Sequence, residues 1–230
     1  MIAEYDVTNK TADADSLFNV ASAAKQMLDA DTIDVVADRG YFSAKEVEKC
    51  VGAGITPYVP APDRTGSGPS KSRGIPTPDF YEDKFIYDRR TDTYVCPANK
   101  RLRFWTVSET RSPGMRYFVY KTEACLSCRY LMTKCTTYDK GRRMYRWEHQ
   151  NLIDDMRNRL RENPSMMSKR QAMCEHPFGT IKRAFNQSYL LLKGFRKVRG
   201  EIGLTMLAYN LRRVLNIIGT KKLVKAVTSC

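Results

Sequence analysis

Between Ala61 and Pro78 the chain reads A-P-D-R-T-G-S-G-P-S-K-S-R-G-I-P-T-P, a stretch with almost nothing to bury and with Pro and Gly repeatedly interrupting regular backbone geometry. No compact layer can be threaded through it, so it reads as a linker over 61–78 with separately packed sequence on either side. The preceding residues alternate between strand and helix patterns. A helix is expected from Asp15 or Ser16 to about Leu28, with Leu17, Val20, Ala21, Ala24 and Leu28 on one face. Ile33, Val35 and Val36 predict a buried strand that stops at Asp38, ahead of Arg39-Gly40, and Ala44 to Val51 predicts a second helix. Ile55 to Pro60 predicts an edge strand, since Pro57 cannot donate to a ladder. With a further strand expected around Asp6, residues 1–60 form the first part of a layered α/β core.

Beyond the linker, Phe85-Ile-Tyr, Thr93-Tyr-Val-Cys, Leu102-Arg-Phe-Trp and Arg116-Tyr-Phe-Val-Tyr are short β-rich runs between polar turns, an antiparallel insertion over 79–139. It holds four of the seven cysteines, Cys96, Cys125, Cys128 and Cys135. Two thiolates in a C-x-x-C loop with two partners from other loops suit one tetrahedral zinc ion. A disulfide framework is the rival, and four unrelated cysteines the plain alternative. Cys50 and Cys174 read as core or near-core residues, and Cys230 as a free tail thiol.

Residues 140–230 turn helical. Leu152, Met156 and Leu160 share a face over 149–161, Pro164 interrupts, and a second helix carries Arg170 and Glu175. Pro177 should kink any helix that continues past it. Glu201 to Ile218 gives the clearest helical pattern, with Ile202, Met206, Leu207, Leu211, Val214, Leu215 and Ile218 expected as core and Tyr209 and Asn210 bracing the helix against a sheet. The tail from Gly219 to Cys230 is basic and expected to fray at its end.

The net charge of +14, from 39 Lys and Arg against 25 Asp and Glu, calls for a polyanionic partner. Ten of those fourteen excess charges lie between Lys140 and Arg199. No segment has the apolar length for a membrane span or the composition of a signal peptide, so a cytoplasmic, nucleic-acid-bound protein is expected rather than a membrane one. In M-C-E-H-P-F-G-T-I-K-R, residues 173–183, a lone carboxylate sits among cations. Glu175 lies between Arg170 and Lys182-Arg183, which suits a hard divalent ion beside phosphate. The alternative is a solvated helix face. Asp38, at the carboxyl end of a strand where α/β sheets gather ligands, supplies a second acid unless it only caps the helix starting near Ser43. His176 reads as a DNA contact, a catalytic helper or a structural hydrogen-bonder.

V-A-D-R-G-Y-F-S, then G-I-T-P-Y-V-P, E-H-P-F-G-T-I-K-R and the late L-A-Y-N-L-R-R, in that order across nearly the whole chain, resemble the DDE transposases of bacterial insertion sequences. The resemblance implies a ribonuclease H-like mixed sheet flanked by helices, with the β-rich segment as an insertion. It also implies two Mg²⁺ or Mn²⁺ ions held by catalytic carboxylates at Asp38 and Glu175, and DNA cutting and joining at insertion-sequence ends by a homo-oligomer. Arg170, Lys182, Arg183, Lys193, Arg196 and Lys197 are the expected DNA contacts. The family's first catalytic Asp, on an earlier strand, finds no counterpart here: nothing around Asp6 matches its motif. The chain is therefore expected to be the carboxyl-terminal part of a transposase. The alternative is an inactive DNA-binding or zinc-stabilised interaction remnant.

Overall fold

The computed structural model describes residues 1–62 and 75–228, and their side chains other than that of Glu175. Most of the expected linker and Cys230 lie outside the described residues. The chain divides into two compact units, one formed by 1–61 with 152–230 and the other by 62–151.

The first unit begins without the expected strand. Residues 1–10 have no regular structure, and Asp6 accepts from the next backbone N–H, Val7 N at 2.8 Å. Instead the segment lies along a helix. Asn210 brackets the backbone of Ile2 with two bonds of 2.7 Å, and the Tyr5 hydroxyl donates to the Arg199 carbonyl. α1 (Leu17–Met27), β1 (Ile33–Val36), α2 (Ala44–Gly52) and β2 (Ile55–Tyr58) then follow as a βαβ unit with a leading helix. β1 and β2 pair in parallel, Ile33 opposite Ile55 and Val36 opposite Tyr58. A parallel pair needs a crossover, and α2 supplies it, burying Val47 and Cys50 completely. Ser16 precedes α1 but makes no side-chain cap. The role passes to Glu46 on α2, a carboxylate 3% exposed that accepts from Phe18 N at 2.9 Å and pairs with Lys49 at 2.8 Å. A remote carboxylate thus satisfies one of α1's orphan donors.

α3 (Gln150–Glu162), α4 (Ser165–Gly179), α5 (Phe195–Ile218) and α6 (Thr220–Thr228) complete the helical content. Within the first unit α4 packs on β1, while Arg159 of α3 reaches the Pro57 carbonyl at 3.4 Å. α4 passes through Pro177 and continues as a π-helical turn, Thr180–Ala184, where the Phe185 N–H reaches back to the Thr180 carbonyl at 3.1 Å. The helix thus runs on past the proline into a widened turn. One expectation fails here. α5 is not a core helix: Tyr209 is its buried residue, whereas Leu207 is 64% exposed and Leu211 51%. The tail forms α6 over Thr220–Thr228, and its end lies outside the described residues.

The second unit is an antiparallel meander of β3 (Ile86–Asp88), β4 (Thr93–Val95), β5 (Arg101–Ser108), β6 (Tyr117–Lys121) and β7 (Met144–Trp147), in that spatial order. The fifth strand falls beyond Asp139, where helical sequence was expected. Its core gathers Phe80, Phe85, Tyr94, Leu102, Tyr120, Cys135 and Met144. The Tyr87 and Tyr120 hydroxyls both donate to Asp92 Oδ1, at 2.7 and 2.6 Å, so the polar tips of two packed rings end on one carboxylate.

Candidate active site at the end of the parallel strand pair

The ladder of β1 extends one residue past the strand, Ala37 N donating to the Tyr58 carbonyl at 3.2 Å, and the chain then breaks away at Asp38. The backbone turns at once into a short 3-10 turn, Arg39–Tyr41, and Asp38 is its cap: Oδ1 accepts from Gly40 N at 2.9 Å. Asp38 therefore caps this turn and not α2, whose preceding residue is Ser43. A Cβ at position 40 would stand 3.1 Å from Asp38 Oδ1, so glycine leaves the carboxylate its place.

The other oxygen faces α4. Arg170 NH1 lies 3.6 Å from Asp38 Oδ2, with side chains 28% and 51% exposed respectively. Arg170 Nε is buried and has no hydrogen-bond partner among the described residues, so the guanidinium's contact with Asp38 runs through an outer nitrogen. Tyr41 lies in the same neighbourhood. Burial raises its hydroxyl pKa first, and Asp13, Asp38 and Cys174 raise it further. The α4 stretch from Arg170 to Cys174 is thus turned towards the carboxyl end of β1. Glu175 is the next residue on α4; its side chain is outside the described residues.

His176 joins this helix to α5, its Nδ1 3.4 Å from the hydroxyl of the buried Tyr209. This contact is the hydrogen bond that its structural reading calls for. Lys182 and Arg183 project from the π-helical turn, and Lys193, Arg196 and Lys197 from the loop before α5 and its first turn; all are exposed. Among the described residues none of these five pairs with a carboxylate within ion-pair distance. Arg170 differs from them, because its charge is engaged by Asp38. The loop they border is tied down by Glu201, whose carboxylate accepts from Leu191 N and Leu192 N at 2.9 Å; these bonds hold its pKa below the usual carboxylate range. Nothing in the local pattern of 187–201 pointed to that link.

At the second unit's cysteine loops, Cys96 Sγ accepts from Lys100 N at 3.3 Å in the turn after β4, while Cys125 and Cys128 bracket a turn after β6. All of the described cysteines are free thiols, so the disulfide rival is absent among them. Gly141, at φ +89°, packs its backbone on Cys125, where a Cβ would come within 2.6 Å of Cys125 Cβ. Burial pushes the Cys135 thiol up to about 12, and the neighbouring Cys125, Cys96 and Cys128 push the same way. The four thiols share one neighbourhood. Among the described residues, however, no three His, Cys, Asp or Glu side chains stand in an arrangement that could hold a metal ion, here or at Asp38. Asp38 offers one hard oxygen pair, opposed by the Arg170 guanidinium.

Two further facts concern the chain as a whole. Among the described residues no helix is long and apolar enough to cross a membrane. Comparison with curated proteins and with solved structures returns no match.

If the Asp38–Arg170 pair docks α4 on β1, the two side chains are energetically coupled. A thermal-denaturation cycle of Asp38→Asn, Arg170→Gln and the double variant should give a coupling of about 0.3–1 kcal/mol, the range for partly exposed pairs. Strict additivity would mean that the contact does not hold the helix. A family model described as "Transposase DDE domain" matches residues 95–215, a segment that includes Glu175 and the four clustered cysteines, and since it spans just over half of the sequence, the chain belongs to the DDE transposase family.

Proposed function

We propose that this transposase domain acts in metal-dependent cutting and joining of DNA at the ends of an insertion sequence, with Asp38 and Glu175 as two of the carboxylates that hold divalent ions. The observation that carries this reading is the Asp38–Arg170 contact, which draws α4 to the carboxyl end of a parallel strand five residues before Glu175. Asp38 and Glu175 would hold divalent ions such as Mg²⁺ or Mn²⁺, which when bound would supply charge stabilisation to a phosphodiester under attack. The chain's own part is to present hard oxygen donors and to hold DNA. Arg170 would hand its charge from Asp38 to a nearby phosphate, while Lys182, Arg183, Lys193, Arg196 and Lys197 would track the backbone. The fold that fits is ribonuclease H-like, with 1–60 and 140–230 as its two parts, 61–78 as linker and 79–139 as an insertion. A homo-oligomer working on DNA in the cytoplasm is the corresponding assembly.

Two carboxylates are too few for two Mg²⁺ ions, which keep their waters and bind protein oxygens weakly. The resemblance puts a third on an earlier strand. This chain by itself should therefore bind DNA bearing the element's ends without cutting it. Binding should weaken with salt at a slope of about −0.9 per neutralised phosphate, and Lys182→Glu with Arg183→Glu should flatten that slope by roughly 2. Metal-dependent nicking of supercoiled DNA by this chain, abolished in Asp38→Asn, would place a third carboxylate within these 230 residues. Loss of the salt slope altogether would remove DNA as the partner.

Cys96, Cys125, Cys128 and Cys135 would hold one structural zinc ion. The support is their shared neighbourhood, the N–H bond to Cys96 Sγ and the backbone packed against Cys125. Each thiol must lose its proton to bind, and burial raises the Cys135 pKa to about 12, so zinc affinity should climb steeply as pH rises. Without metal the sign reverses: a raised thiol pKa stabilises the folded unit below pH 9, and that contribution disappears as pH climbs towards 12. Metal analysis should give about one zinc per chain, lost in Cys125→Ser/Cys128→Ser. A folded protein free of zinc after purification without chelator would defeat the assignment.

A further inference from the structure

The outer face of β5 carries a cluster that neither the core nor the Asp38 site uses. Trp105 is 45% exposed although it is large and sits in a strand. It falls at the register shift between Phe104 and Thr106, where the β5 residue has no opposite number on β6. A bulge of this kind re-aims a side chain. Lys121 Nζ stands 3.8 Å from the ring centroid and the Arg143 guanidinium 5.0 Å from it. Arg103 lies opposite Lys121 in the ladder and so shares its face. On the far side of Arg143 comes a second ring, Tyr138, 41% exposed, 4.8 Å from the guanidinium and bonded to it through its hydroxyl at 2.9 Å. Two exposed rings thus flank one guanidinium, with two further cations beside them.

The plain alternative is that the cations exist to cover Trp105. Two observations count against it. The ring stays nearly half exposed with both cations in place, and among the described residues none of Arg103, Lys121 and Arg143 has a carboxylate within ion-pair distance. Their charge is uncompensated, and it is concentrated where apolar ring faces meet solvent. Exposed aromatic planes interleaved with unpaired cations on a sheet surface are what bind unpaired bases, because each base stacks on a ring while its phosphate meets a cation. Duplex DNA offers no free base face and could use the cations alone.

We infer that the Trp105–Arg143–Tyr138 face of the five-stranded sheet is a binding site for single-stranded DNA, with Trp105 and Tyr138 as stacking planes and Arg103, Lys121 and Arg143 as phosphate partners. The site does not depend on the catalytic reading of Asp38 and Glu175. It would bind unpaired strand whether or not the chain cuts DNA.

The chain has two tryptophans, and the other, Trp147, is buried, so quenching of tryptophan fluorescence by an oligonucleotide reports on Trp105. With the full chain, a thymidine 20-mer should quench that emission and bind. Trp105→Ala should weaken its binding about 5- to 150-fold, the range for loss of one stacked base, with Trp105→Phe retaining most of it. The same variants should leave binding to a 20-base-pair duplex within about twofold, whereas Lys121→Glu/Arg143→Glu should weaken both ligands. In the wild-type protein, an iododeoxyuridine-substituted 20-mer should photocrosslink to the peptide containing Trp105, a readout that needs no variant to fold. Equal losses for single strand and duplex in Trp105→Ala, no loss at all, or crosslinks confined to residues 180–200 would overturn the site. At least tenfold tighter binding of a uridine 20-mer would reassign it to RNA and equally overturn the proposal.

Discussion

The contact on which the candidate site depends is the one between Asp38 Oδ2 and Arg170 NH1, 3.6 Å apart. β1 is four residues long and pairs with one strand among the described residues, and a two-stranded sheet alone is marginal in water. Its carboxyl end is made definite by attachments: the Gly40 N–H on Asp38 Oδ1, the ladder bond from Ala37, and α4 held across it by Arg170. The coulombic gain of such a half-exposed pair is modest. Its consequence is geometric, because it fixes which turn of α4 faces the strand end and so where the E-H-P-F-G sequence begins.

The second unit obeys a different constraint. Its meander is short-stranded, and what closes it is a tyrosine core with the Tyr87 and Tyr120 hydroxyls ending on Asp92, plus a cysteine loop cluster in which Cys135 is buried. Zinc would convert those thiols from passive filling into a cross-link among the loops after β4 and β6 and the segment before β7. The same sheet turns its other face outward with Trp105 bracketed by cations, so one small unit would supply both a metal staple and a place for unpaired strand.

Much of this was legible in the sequence, and the exceptions have physical causes. The β-branched run at 33–36 and the breaker at Arg39-Gly40 located the strand end at Asp38, since local pattern decides where a short buried strand stops. The helix at 150–162 followed from Leu152, Met156 and Leu160 for the same reason. The strand expected near Asp6 did not form: the segment's partners, Asn210 and the Arg199 carbonyl, lie about two hundred residues away, where no local signal reaches. Glu46 as the cap of α1, Glu201 as the tie of the 191–192 loop, and β7 beyond Asp139 are likewise tertiary facts. Periodicity identified α5 correctly as a helix but not its exposure, because an apolar stripe tells which face seeks cover and not what provides it. The apolar side chains at Leu204, Leu207 and Leu211 stand open among the described residues.

If Asp38 and the Glu175 turn of α4 share one divalent-ion site, a redox-active ion bound there reports on both at once. Fe²⁺ can replace Mg²⁺ in oxygen-ligand sites, and with ascorbate and peroxide it breaks the polypeptide next to where it is bound. Paired breaks are expected near residues 38 and 175, suppressed together by excess Mg²⁺ and absent in Asp38→Asn. Breaks at only one of the two positions, or a pair that persists in Asp38→Asn, would rule out a shared site.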